Sequence, residues 1–104
     1  MQVYFEHQFL AELYTRGKDD KKHRYHPQII RKYIKVVDLM IAVPNIDGLV
    51  QYNSLNYKKL KGDKQGLSSV RVNDQYRIEF EETVVGDETV ASIVNIVDLS
   101  NHYK

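Results

Sequence analysis

The sequence predicts an α+β domain, with two N-terminal helices packed on one face of a small antiparallel sheet in the order β-α-α-β-β-β. Three observations carry this. Apolar residues recur at helical spacing up to about Tyr52, they alternate after it, and turn-forming residues punctuate the second half. A chain of 104 residues suits a single domain over 1–104, and no repeat, low-complexity run or Pro/Gly/Ser linker divides it.

Met1 to Tyr4 suits a short opening strand. Phe5, Phe9, Leu10, Leu13 and Tyr14 then share one helical face, and Gly17 follows as a stop. The polar stretch from Lys18 to His26 reads as a loop, and Pro27 suits the first turn of the second helix. Ile29, Ile30, Tyr33, Val37, Met40 and Ile41 form the apolar face of that helix, with Arg31, Lys32 and Lys35 opposite, up to Pro44. Ile46 to Tyr52 allows one or two further helical turns. Leu67–Val72 and Tyr76–Glu82 alternate as strands around Asn73-Asp74-Gln75, a trio rich in turn formers. A second turn near Gly86-Asp87 leads to Val90–Val97, apolar on both faces as a central strand is.

Composition excludes several classes. With 42% hydrophobic and 28% charged residues, the chain is neither disordered nor a coiled coil. It has no apolar run of the ~18 residues a membrane span needs, and no signal-peptide core follows Met1. No cysteine is present, so disulfides, thiolate zinc sites and a Cys nucleophile are excluded, and a cytoplasmic location is expected. His7, His23 and His26 lack metal-ligand spacing, so no metal is expected. The net charge of +1 conceals a polarity. Between Arg16 and Arg77 lie 14 of the 15 basic residues against six acids, whereas Glu79 to Lys104 holds six acids and one base.

The apolar residues Val70, Val72, Tyr76, Ile78 and Phe80 are even-numbered, and the polar Ser69, Arg71, Arg77, Glu79 and Glu81 are odd. Burying one set fixes the hairpin register, with Val72 opposite Tyr76 and Arg71 opposite Arg77. Two guanidinium groups then share an expected exposed face, roughly 5 Å apart at Cβ. Either an anion binds between them, or Glu79 and Glu81 neutralise them. Upstream, Lys58, Lys59, Lys61 and Lys64 stand among Gly62 and Gly66, without the glycine spacing of a Walker loop. Such lysines either discourage edge pairing or, with Arg71 and Arg77, make a footprint for a phosphate backbone. His102, close to the C-terminus, is a workable general acid or base, and Tyr103 can stack on a base.

The stretches Leu60–Gly66 and Ser69–Phe80, with Asn101-His102-Tyr103, resemble the HigB branch of the RelE/ParE toxin superfamily. The resemblance implies a RelE-like fold and a toxin of a type II toxin–antitoxin module. It also implies a metal-independent, cofactor-free endoribonuclease that cuts translated mRNA in the ribosomal A site by attack of a ribose 2′-hydroxyl. Lys61 matches the family's loop lysine and Arg77 its strand arginine, both stabilising phosphate charge. Lys58 stands where the family has a loop histidine and Asn101 where it has an acid, so the resemblance leaves His102 as the principal proton-transfer group. Lys58, Lys59, Lys64, Arg71 and Tyr103 are the expected RNA contacts. Implied partners are the ribosome, mRNA and a HigA-type helix-turn-helix antitoxin, with operator DNA reached only through the antitoxin complex and no membrane contact. The alternative reading is a ParE-like toxin that inhibits DNA gyrase by protein–protein binding, and a third is an RNA-binding domain without chemistry.

Overall fold

The computed structural model describes residues 1–84 and 92–101. The expected turn at Gly86-Asp87, His102 and Tyr103 therefore lie outside the described residues. Strand β1 (Gln2–Phe5) is followed by helices α1 (Gln8–Arg16) and α2 (Pro27–Ala42) and a short α3 (Ile46–Val50). Strands β2 (Lys58–Lys59), β3 (Ser68–Arg71), β4 (Arg77–Val84) and β5 (Ser92–Ser100) complete the fold.

Local chemistry sets the helix ends where the sequence marks them. Gly17 ends α1 in the left-handed region at φ 63°, where an L side chain is strained. Pro27 opens α2, and the His26 ring caps it by accepting from the Gln28 amide. Asn45 caps α3 through a 3.0 Å bond from Gly48 N–H to its Oδ1. The buried Tyr33 of α2 donates 2.8 Å to the Leu10 carbonyl of α1, and Tyr14 donates 2.5 Å to Asp38, so two hydroxyls tie the helix pair.

The strand order is β1-β5-β4-β3-β2. β5 is interior, as its apolar faces require. The expectation of an all-antiparallel sheet is corrected at one edge, because β1 pairs parallel to β5, from Gln2 opposite Ile93 to Phe5 opposite Ile96. This pairing joins opposite ends of the chain, which local alternation does not encode. Two residues, Lys58 and Lys59, form a further edge strand against Ser69 and Ser68. β5 runs to Ser100, three residues past its expected end. A register shift between Glu79/Phe80 and their partners leaves Val97 as an extra residue in β5. Core parity then changes from the even Val94 and Ile96 to the odd Leu99, all buried. This switch masks the strand's continuation in the sequence.

The helices cover the even-numbered face, where Val70, Val72, Ile78, Phe80, Val94 and Ile96 meet Leu10, Leu13, Tyr33, Val37 and Met40 in one core. Arg71 stands opposite Arg77 and Val70 opposite Ile78, as the alternation requires.

Burial has a consequence for pH. Of the eight tyrosines, Tyr57 is pushed up to about 12, first by burial and then by its bond to Glu82, and burial likewise pushes up Tyr25 and Tyr33. Their folded values lie above the unfolded 10.0, so the neutral phenols favour the native state. That stability is complete below pH ~10, and the share from Tyr57 is lost as pH rises through about 12. Phenolate absorbance during an alkaline titration should show these three ionising late, together with loss of structure. Uniform titration of every tyrosine near pH 10 without unfolding would contradict it.

Candidate functional site

The odd-numbered side of β3 and β4 carries the residues expected on an exposed face, and the structure corrects that expectation. Arg77 is 5% exposed, Glu79 2% and Ser69 0%. The chain preceding β2 makes a 3-10 turn at Asn53–Leu55, and the chain after β2 makes another at Gly62–Lys64. Both bring polar partners to this side. Arg77 Nε donates 2.9 Å to Ser69 Oγ, and Nη2 donates to the Asn56 and Ser69 carbonyls at 2.5 and 3.3 Å. Asn56 turns through the left-handed region, φ 45°, as it presents that carbonyl. Lys64 reaches Glu79 at 2.6 Å, giving the buried carboxylate a cation.

Arg71 and Arg77 are therefore register partners with different fates. Arg71 remains partly exposed and pairs with Asp74 of the turn. Arg77 is drawn beneath Asn56, where its planar fork holds the segment leading to β2. Alternation places both side chains on one side but does not show that the preceding segment closes over part of it.

Lys58, Lys59 and Lys61 are exposed along the β2 edge. Beside them lies an open cleft of about 710 Å³, lined by Lys59, Leu60, Lys61, Gln65, Ser68 and Glu82 among others. One wall carries a network that sequence reasoning missed. Tyr57 donates 2.5 Å to Glu82 Oε2, and Ser68 Oγ donates 2.8 Å to the same oxygen. With its pKa pushed up, the Tyr57 phenol stays a donor at neutral pH. Tyr57 adjoins the lysines in sequence, but only the β2–β3–β4 register brings Glu82 to it.

This arrangement gathers Lys59 and Lys61 around one cleft and sets Lys58 and Arg71 on the neighbouring odd-numbered side. Arg77 is engaged beneath the surface, and the half-buried Lys64 is engaged with Glu79. Acids stand on both sides: Glu82 lines the cleft, while Glu81 and Glu6 share the Asn95 amide at 3.1 and 2.7 Å, toward the β1 edge. The exposed lysines nonetheless make the β2 end of the sheet cationic and suited to a polyanion. Among the described residues no cluster of three or more His, Asp or Glu side chains is placed to hold a metal, and no helix is long and apolar enough to cross a membrane.

Comparison with known proteins agrees with this architecture. The family model described as the RelE-like toxin of type II toxin-antitoxin system HigB matches residues 3–98. Toxin HigB-1 of Vibrio cholerae serotype O1 is 29% identical over 82 residues, covering 78% of this chain and 83% of that protein. Among solved structures, the YoeB/ParE toxin from Agrobacterium tumefaciens superposes with TM-score 0.56 at 17% identity, covering 99% of this chain and 100% of that one. YafQ from E. coli gives TM-score 0.57 at 12% identity, with 97% and 92% covered, a likeness of fold. The YoeB–YefM complex from Staphylococcus aureus gives 0.56 at 17%, with 99% and 98% covered. The family match spans all three helices and the cationic strand edge, and on it the chain belongs to the RelE-like toxins of type II toxin–antitoxin systems, in the HigB family.

Proposed function

We propose that this toxin is a ribosome-dependent endoribonuclease that cuts translated mRNA in the A site. The observation that carries the reading is the exposed row Lys58, Lys59 and Lys61 beside an open cleft, at the cationic end of the sheet. In the reaction the ribose 2′-oxygen bonds to the adjacent phosphorus while the bond to the 5′-oxygen breaks. A 2′,3′-cyclic phosphate and a 5′-hydroxyl result. A base takes the 2′-hydroxyl proton and an acid returns one to the leaving oxygen. Lys61 stabilises the charge that builds on the phosphorane, and Lys58, Lys59 and Arg71 hold flanking phosphates. His102 transfers a proton and Tyr103 stacks on a base. Arg77, which the resemblance makes a stabiliser of phosphate charge, and Lys64, an expected RNA contact, are also engaged with Ser69, Asn56 and Glu79, and so fix the strand edge from which the lysines project. The ribosome supplies the orientation of mRNA, so a shallow cationic cleft suffices.

The proposal includes a HigA-type helix-turn-helix antitoxin as protein partner and operator DNA bound only through that complex. The YoeB–YefM structure, a toxin with its antitoxin on the same fold, supports a protein partner. Induction in a bacterial host with mapping of mRNA 5′ ends tests the nuclease. Wild type should produce cuts inside translated frames that vanish when translation is blocked, and His102→Ala should suppress them. Growth arrest with intact mRNA and DNA-damage signalling would overturn the reading in favour of gyrase inhibition.

A further inference from the structure

The cleft beside the lysine row holds one group that phosphate binding does not use, the carboxylate of Glu82. Lys59 lies opposite Ser68, and Ser68 opposite Phe80, two residues before Glu82, so Lys59, Ser68 and Glu82 share one face of the sheet. Tyr57 donates 2.5 Å and Ser68 Oγ 2.8 Å to Glu82 Oε2, which fills both lone pairs of that oxygen. The two hydroxyls lie 3.2 Å apart, so the three side chains form one closed unit. With its pKa raised by burial and by Glu82, the Tyr57 phenol keeps its proton in this bond. Oε1 is left over. Among the described residues it has no partner, and it is open to solvent. The carboxylate is thus held by one oxygen and presented by the other.

The lining makes separate demands on a ligand. Lys59 and Lys61 attract an anion, whereas Glu82 Oε1 accepts only from a donor, and Leu60 and Leu67 add apolar surface. A nucleotide in RNA meets all three, because its phosphates, its flat ring and its N–H edge are different parts of the molecule. The bases are not equivalent against one carboxylate oxygen. Adenine and cytosine present an amino group beside a ring-nitrogen acceptor, and uracil presents N3–H between two carbonyls. Each of these sets an acceptor next to the carboxylate. Guanine alone sets two donors, N1–H and the 2-amino group, side by side. At about 710 Å³ the cleft has room for one nucleotide.

We propose that Glu82 selects guanine in single-stranded RNA, with Tyr57 and Ser68 positioning its carboxylate. N1–H and the 2-amino group donate to Oε1, while Lys59 and Lys61 meet the phosphates on either side. The inference rests on the reading of this cleft as the RNA site and adds the base that the site prefers.

The test is an amide-resolved NMR titration of the full chain with the 2′-O-methyl trinucleotides UGU, UIU and UUU, and with GMP. The methyl groups block attack by the 2′-oxygen, so affinity is read alone. UGU should bind about tenfold more tightly than UUU. UIU, whose inosine keeps N1–H but lacks the 2-amino group, should fall between them. GMP should bind more weakly than UGU, because it lacks a phosphate on each side, and this identifies RNA rather than a free nucleotide as the source. Shifts should centre on Lys59–Ser68 and Glu82. In Glu82→Gln the affinity for UGU should fall to that for UUU, with UUU bound no more weakly than before. Tyr57→Phe should weaken UGU about threefold and leave UUU unchanged, a base-selective loss that a merely structural hydroxyl does not give. Equal affinity for UGU and UUU in the wild type, tighter binding of GMP than of UGU, or a guanine preference that survives Glu82→Gln overturns the inference. Cleavage on ribosomes is assayed separately. A guanine preference without cleavage supports this inference and removes the nuclease reading, whereas cleavage with equal affinities removes this inference alone.

Discussion

Arg77→Ala is expected to destabilise the fold by about 3 kcal/mol, which lowers Tm by roughly 12–20 °C for a domain of this size. The residue is 5% exposed, and its fork donates to Ser69 Oγ and to the carbonyls of Ser69 and Asn56. Truncation leaves those buried acceptors to find other donors and opens a void between β3, β4 and the turn before β2. Each acceptor left unsatisfied costs about 1–3 kcal/mol, partly relieved by water near Asn56. Arg77→Lys keeps the charge but loses the planar fork, so it should recover only part of the deficit. Denaturant melts of the three proteins read this directly. A loss below about 1 kcal/mol in Arg77→Ala would show that the arginine does not hold the β2 segment. Cleavage by Arg77→Ala must accordingly be assayed well below its melting point, where the remaining loss reflects a misplaced lysine row.

The contrast between Arg71 and Arg77 shows how far the sequence reaches. Two helix boundaries were legible because their determinants are local: Gly17 and Pro27 act within one turn of themselves. The β3–β4 register was equally legible, since parity fixes which side chains share a face. Burial of the odd-numbered side was not. It depends on residues 53–67 folding back across the sheet, which a two-residue periodicity does not register. The parallel β1–β5 pair and the Val97 bulge escaped for the same reason, one being non-local and the other breaking the parity that would reveal it. The acidic block from Glu79 onward reads as a single run but serves separate ends. Glu79 is neutralised by Lys64, Glu82 anchors Tyr57 at the cleft wall, and Glu81 joins the β1 edge.

Lys61→Ala should leave stability within about 0.5 kcal/mol of wild type, since the side chain is exposed, and should reduce mRNA cleavage roughly a hundredfold or more. The two cations singled out by the same resemblance thus fail differently. Removing Arg77 acts first on the fold, and removing Lys61 acts on charge stabilisation at the cleft. Lys61→Arg retains a cation with altered reach and should restore part of the rate, whereas Lys59→Ala removes a flanking phosphate contact and should cost less than Lys61→Ala. Single-turnover cleavage on programmed ribosomes, alongside thermal melts, separates the two effects. At saturating toxin the rate should stay low for Lys61→Ala, because the interaction it loses develops with the phosphorane charge. For Lys59→Ala the same increase in toxin should recover most of the rate, because that contact contributes equally before and during bond exchange. If Lys61→Ala cleaves like wild type while remaining folded, the cationic row binds RNA without stabilising the reaction. Charge stabilisation would then have to come from another group.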